Sequence, residues 1–196
     1  MKYDVIIAGV GGQGVLSVSS IIAQAALNDG LEVRQSEVHG MAQRGGAVLS
    51  HLRICDKQIA CDLVPKGGAD LIISMEPLEG LRYISYLKPS GSLVTNTDPV
   101  KNMDNYPDTA KIISTIKSLP AWRLIDAGNL AKEAGNLKAV NIVMVGAVSC
   151  FLPLNAKTLE KTIAEIFSKK DENVVSANAK AFKLGQNASK HDAGKK

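Results

Sequence analysis

The sequence predicts an α/β fold: a mostly parallel sheet with helices on both faces, an inserted antiparallel hairpin and a helical C-terminal end. Three observations predict it. At the N-terminus an apolar, β-branched run (Tyr3 to Ala8) meets a glycine loop and then a helical stripe. The runs Val5-Ile6-Ile7 and Leu71-Ile72-Ile73 are apolar without alternation, as in strands covered on both faces. Such runs then alternate with helical patterns along the chain, the arrangement that builds parallel sheets.

Each element has its own signal. After the first strand, Val15 to Asn28 carries Val15, Val18, Ile21, Ile22, Ala25 and Ala26 at near-helical spacing, and Gly30 is placed to end that helix in the left-handed conformation. Leu31 to Ser36 reads as a second strand closing a βαβ unit. Ala47 to Ile54 alternates, Asp56-Lys57 turns, and Gln58 to Leu63 returns with Ile59, Cys61 and Leu63 on one side, which predicts an antiparallel hairpin. Asp70 to Met75 is a buried strand. Pro77 suits the first turn of a helix that runs to about Leu87 and is ended by Lys88-Pro89-Ser90-Gly91. Ser92 to Asn96 and Trp122 to Asp126 read as strands, Thr109 to Ser118 and Gly128 to Ala134 as short helices, and Asp98 to Asp108 as a polar surface loop. Ala139 to Phe151 is apolar on nearly every side and predicts a buried helix, with Cys150 in the core. Thr158 to Phe167 and Asn173 to Leu184 are closing amphipathic helices. Neither repeat nor linker divides the chain, so residues 1–185 read as one domain and 186–196 as a polar tail.

Composition narrows the function classes. The 196 residues are 45% apolar, which suits a globular core. Aromatics reach only 4%, too few for single-stranded nucleic-acid binding by base stacking. The net charge of +4 draws on Lys190, Lys195 and Lys196 in the tail, so it points to no nucleic-acid partner of the folded part. The longest apolar run, Val140 to Leu154, is too short and too interrupted to cross a membrane. The N-terminus enters a strand at once, without the pattern of a secretory signal. Three cysteines, an odd number with no C-x-x-C pair, suit a reducing compartment and supply no set of [4Fe–4S] ligands. A cytoplasmic protein is expected.

The chemistry is concentrated in two loops. Gly9-Val10-Gly11-Gly12-Gln13-Gly14 fills the G-x-G-x-x-G fingerprint at Gly9, Gly11 and Gly14, between a strand and a helix. Free N–H groups and the helix dipole make such a loop an anion site, while the same glycines could simply pack the helix onto the sheet. Gln13 adds a long amide. The second loop, Glu37-Val38-His39-Gly40-Met41-Ala42-Gln43-Arg44-Gly45-Gly46, begins where the second strand ends and is expected beside the first. Together the loops resemble the gamma-type domain of 2-oxoacid:ferredoxin oxidoreductases, and within that family the small subunit of the indolepyruvate branch. The likeness runs from Tyr3 to about Leu184.

The resemblance implies a Rossmann-like subunit, inactive alone, of an enzyme that oxidatively decarboxylates aryl pyruvates to acyl-CoA and reduces ferredoxin. It implies a large alpha subunit as partner, holding thiamine diphosphate, Mg2+ and [4Fe–4S] clusters, with coenzyme A as co-substrate and no cofactor held by this chain alone. Candidate binding residues are Gly9, Gly11, Gly12, Gln13, Gly14, Glu37, His39, Arg44, Gly45 and Gly46. Arg44 can fork onto phosphate oxygens, and the loops could equally meet the large subunit. Glu37 occupies the place of a ribose-binding acid, or else pairs with Arg44 or Arg34. His39 could shuttle protons or serve as a hydrogen-bonded loop residue. His51, in mid-strand, reads as a surface residue. Glu76 before Pro77 reads as complementing a helix N-terminus. No catalytic triad and no metal-ligand set is visible. Two other classes stay open: a free-standing NAD(P)-dependent oxidoreductase, favoured by the fingerprint and Glu37, and a nucleotide-sensing regulatory module.

Overall fold

Strand β1 (Lys2–Val10) is the sheet's interior axis: Val5, Ile6, Ile7 and Ala8 have no exposed surface, as an unbroken apolar run requires. The computed structural model describes residues 1–40 and 45–191, with the backbone alone of His39 and His191. The order continues α1 (Val15–Asn28), β2 (Glu32–His39), β3 (Ala47–Cys55), β4 (Ala69–Ser74), α2 (Pro77–Arg82) and β5 (Leu87–Asn96). It closes with α3 (Thr109–Lys117), β6 (Trp122–Ile125), α4 (Ala127–Glu133), α5 (Val140–Val148), α6 (Ala156–Phe167) and α7 (Glu172–His191). The sheet order is β2-β3-β1-β4-β5-β6. β1, β4, β5 and β6 are parallel, and β3 runs antiparallel to both its neighbours.

Helices cover both faces. On one, Val18, Ile22, Met144 and Phe182 pack with Ile7, Leu52 and Ile73 of the sheet. On the other, Ile112 and Ile116 of α3 pack with Ile6, Ile72 and Leu93. α1 ends as its sequence demands: Gly30 takes φ 78° and the Leu31 N–H donates to the Ala26 carbonyl at 3.0 Å.

The antiparallel element differs from the expected hairpin. β3 pairs along its whole length with β1, from Lys2↔Cys55 to Val10↔Ala47, and with β2, from Glu32↔Cys55 to His39↔Val48. The hairpin is therefore β2–β3, and residues 58–63 form no strand. Side chains of β3 hold that segment instead of a ladder: Arg53 Nη1 donates to the carbonyls of Cys61 (2.8 Å) and Leu63 (3.1 Å), and the Val64 N–H donates to His51 Nδ1 (3.1 Å). β2 consequently does not pair with β1, and no adjacent βαβ pair opens the fold.

Two further boundaries move. The stretch expected to end the helix after Pro77 belongs to β5, whose register shifts between the Ala69↔Leu87 and Leu71↔Ser92 pairs. The expected tail begins inside α7, which runs to His191: Gln186 Nε2 donates to Ser149 Oγ (3.1 Å) and Arg123 Nε to the Ser189 carbonyl (3.3 Å). α7 lies hard against α5, because a Cβ on Gly146 would sit 2.1 Å from the Phe182 carbonyl oxygen, and one on Gly185 2.0 Å from that of Val143.

Candidate functional site

The two glycine loops meet by backbone hydrogen bonds. The ladder that pairs Val10 with Ala47 continues beyond both strands: the Gly11 N–H donates to the Gly46 carbonyl (2.8 Å) and the Gly45 N–H to the Gly11 carbonyl (3.4 Å). The fingerprint glycines divide the work. A Cβ on Gly9 would fall 2.8 Å from Val15 Cγ2 and 3.0 Å from Met75 Cβ, so Gly9 brings α1 close to the sheet. Gly12 (φ 101°) and Gly14 (φ 80°) supply the left-handed turn into the helix. Gly14 is the N-cap of α1; no side chain caps that end and no acid stands in its first turn. The first-turn amides thus carry the positive end of the helix dipole with no local anion to offset it. They face a cleft of about 410 Å³, lined by Gly11, Gly12, Gly14, Leu16, Glu37 and Val48 among others.

Gln13 turns inward. Its Oε1 accepts the Val10 N–H (2.8 Å) and its Nε2 donates to the Met75 carbonyl (3.1 Å). Its amide is spent on the backbone at the ends of β1 and β4, so it acts as a clasp rather than a group aimed at a ligand. Asn96, at the end of β5, completes the clasp: Nδ2 donates to the same Met75 carbonyl (3.3 Å) and Oδ1 accepts the Ala127 N–H (3.1 Å).

The segment after β5 also reaches this edge. Glu76 is only 1% exposed. Its Oε2 accepts the Glu79 N–H (2.8 Å), capping α2 as expected, and its Oε1 accepts the Val100 N–H (3.4 Å) and the Tyr106 hydroxyl. Burial, then the hydrogen bond to Glu76, pushes the Tyr106 hydroxyl well above its ordinary pKa. From the same segment, Asn102 Nδ2 donates to the Gly45 carbonyl at 2.6 Å. Asn96, Asn102 and Tyr106 carry no motif. The only pointer to them in the sequence is that Asn96 and the loop after it stand at the carboxyl end of a predicted strand.

The remaining candidates fall variously. Glu37 is half-buried, lines the cleft and sits opposite Ser50 in the ladder. With β3 between β2 and β1 it is one strand further from the glycine loop than a ribose-binding acid of a dinucleotide fold. Arg34 does not pair with it, lying instead 3.5 Å from Glu32. His39 stands opposite Val48 with its side chain outside the described residues, and Arg44 lies outside them altogether. His51 is not at the surface. It is 4% exposed, because β3 is an interior strand, covered here by Val64 and by Tyr86, which meets the imidazole edge to face at 5.6 Å. Burial, helped by the Arg53 charge, pushes its pKa down. Cys150 is exposed rather than core, since α5 stops at Val148. Cys55 and Cys61 are free thiols beside the end of β3. Among the described residues no three His, Cys, Asp or Glu side chains form a group that could hold a metal ion, and no helix is long and apolar enough to cross a membrane.

Comparison with known proteins agrees with this architecture. The family model described as pyruvate ferredoxin/flavodoxin oxidoreductase matches residues 4–188. The chain is 37% identical to the indolepyruvate oxidoreductase subunit IorB of Archaeoglobus fulgidus, with 95% of each chain covered, and 38% identical to that of Pyrococcus horikoshii, with 96% of each covered. Among solved structures it is similar to the gamma subunit of a keto/oxoacid ferredoxin oxidoreductase from Geobacter sulfurreducens, with a TM-score of 0.70, 26% identity and coverage of 96% of this chain and 99% of that one. It shares its fold with part of the 2-oxoglutarate:ferredoxin oxidoreductase of Magnetococcus marinus, solved with 2-oxoglutarate, coenzyme A and succinyl-CoA bound. There the TM-score is 0.76 at 24% identity, covering 97% of this chain and 31% of that one. With a family match over nearly its whole length, the chain belongs to the pyruvate ferredoxin/flavodoxin oxidoreductase family, whose gamma-subunit fold it shares.

Proposed function

We propose that this chain is the small subunit of an indolepyruvate-type 2-oxoacid:ferredoxin oxidoreductase. With a large alpha subunit it would convert aryl pyruvates and coenzyme A to acyl-CoA while reducing ferredoxin. The relatives' names support the substrate class. Thiamine diphosphate with Mg2+ would supply the carbon chemistry and [4Fe–4S] clusters the electron path. The clusters would sit on the large subunit, since Cys55, Cys61 and Cys150 are too few for a four-cysteine set; the place of thiamine diphosphate there follows from the resemblance alone.

The observation that carries this chain's own role is the cleft where the two glycine loops meet at the start of α1. There the loop and first-turn amides would take a phosphate of coenzyme A by hydrogen bonds to an anion, reinforced by the helix dipole. Arg44 would add a forked contact. Leu16 and Val48 give an apolar wall, and Glu37 an acceptor for a hydroxyl or amide of the ligand. A second reading has its own support. Leu16 is 45% exposed and Val38, next to Glu37, 57% exposed, so apolar surface flanks the cleft as it would at a subunit contact.

Hydrogen exchange on the reconstituted complex tests both. Coenzyme A should slow exchange in residues 9–18 and 45–50, and pantetheine, which lacks the phosphates, should not. If assembly alone protects these residues and coenzyme A adds nothing, the loops are an interface and the ligand role falls.

A further inference from the structure

The segment 97–108 is tied at two places to different parts of the fold. Near its base, Glu76 Oε1 accepts both the Val100 N–H (3.4 Å) and the Tyr106 hydroxyl. Glu76 is itself fixed, since its Oε2 takes the Glu79 N–H at 2.8 Å and Ser74 Oγ donates to its carbonyl at 2.5 Å. At its far end, Asn102 Nδ2 donates to the Gly45 carbonyl at 2.6 Å. Gly45 has φ 79° and its N–H donates to the Gly11 carbonyl at 3.4 Å, a long bond. A continuous set of hydrogen bonds therefore runs from the buried end of β4, through the segment after β5, to the contact between the two glycine loops.

The arrangement has a mechanical consequence. Gly12 and Gly45 have left-handed backbones, and a Cβ on either would meet no atom within 4 Å. The Asn102 amide makes a side-chain hydrogen bond on Gly45 from outside the hairpin, and 2.6 Å is a short contact for an N–H donor on a carbonyl.

We infer that Asn102 is a positioning residue that sets the second glycine loop against the first, and that the Glu76–Tyr106 pair anchors the strap that carries it. The strap fixes the width of the cleft at the start of α1. Its consequence for coenzyme A rests on the reading of the cleft given above; its consequence for the loops does not.

The test uses the full chain labelled with 15N-glycine, so that exchange is read at Gly11 and Gly45. Asn102→Asp keeps the shape and removes the donor, and should speed exchange at both amides about five- to tenfold, the scale of one hydrogen bond. Tyr106→Phe should speed the same amides by a smaller factor. The double variant should exchange no faster than Asn102→Asp, because the anchor acts through Asn102. Asn102→Gln, which retains a donor, should recover part of the protection. Unchanged exchange in Asn102→Asp, or independent multiplication in the double variant, overturns the inference. Asn102 is exposed, so its replacement leaves folding intact. In the assembled enzyme, Asn102→Asp should raise KM for coenzyme A with kcat retained. Faster exchange with an unaltered KM supports the strap and overturns the coenzyme reading instead.

Discussion

The clasp made by Gln13 gives the sharpest quantitative test of how the first loop works. Gln13→Met keeps the length of the side chain and removes both polar ends. The Val10 N–H then loses its acceptor at 2.8 Å, and Val10 is 3% exposed, so water does not readily replace it. A buried donor left without a partner costs about 1–3 kcal/mol. The Met75 carbonyl loses the Gln13 donor at 3.1 Å but keeps Asn96 at 3.3 Å. That loss is an ordinary hydrogen bond, about 0.5–1.5 kcal/mol. Together the substitution should destabilise the chain by about 1.5–4.5 kcal/mol, a fall in Tm of roughly 3–18 °C for a chain of this size. Urea unfolding followed by Trp122 fluorescence measures it. Gln13→Glu refines the reading, since it preserves the acceptor for Val10 but sets an oxygen against the Met75 carbonyl, and should lose stability as well. A Gln13→Met variant as stable as the parent, but with a raised KM for coenzyme A, would refute the clasp and return Gln13 to the ligand set.

Four further outcomes are expected. The purified chain alone should not reduce a viologen dye with indolepyruvate and coenzyme A; turnover by it would overturn the division of labour between subunits. Gly146→Ala should destabilise by about 1–3 kcal/mol or more, because the new Cβ would lie 2.1 Å from the Phe182 carbonyl and α5 and α7 must part, which thermal melting reads directly. Gly12→Asn should cost about 1–2 kcal/mol of stability, because φ 101° strains a side chain even where the space is open, while activity of the complex falls by more than that loss explains; normal turnover would make the loop a packing turn. The His51 pKa is depressed by burial, so between that value and its ordinary value near 6.5 the unfolded chain binds a proton that the folded chain does not. Stability is then fully present above pH 6.5 and is lost as pH falls. The slope is at most about 1.4 kcal/mol per pH unit, and it should disappear in His51→Gln, as urea midpoints across pH 5–8 would show.

What the sequence makes legible follows from how local each signal is. Strands β1 and β4 are readable because burial on both faces forces an unbroken apolar run, and α1 because its stripe and Gly30 are self-contained. The strand partner of β3 is not local. The alternation of Ile59, Cys61 and Leu63 imitates a returning strand, yet Arg53 and His51 from β3 satisfy that backbone with side chains. The glycines of the site are readable because positive φ and close packing have few other solutions. Asn96, Asn102 and Tyr106 are not, because a single amide or hydroxyl in a polar loop has no pattern until the fold brings it to Gly45, Met75 and Glu76.

The insertion of β3 is what brings the two loops of the proposed site together. In a purely parallel sheet, the carboxyl ends of adjacent strands meet a ligand independently, each through its own loop. Here the antiparallel strand returns from the same edge at which β1 and β2 end, so the β2–β3 turn and the β1–α1 turn share a ladder and exchange backbone hydrogen bonds at Gly11, Gly45 and Gly46. A ligand or subunit that seats on the first turn of α1 therefore loads the hairpin as well. β2 lies at the edge of the sheet with one neighbour, whereas β1 lies between β3 and β4 and is buried from Asp4 to Val10. Asn102 bears on the β2–β3 turn at Gly45, and the clasp of Gln13 and Asn96 bears on the enclosed strands. The two loops are thus joined to each other at Gly11, Gly45 and Gly46 and held by different parts of the fold.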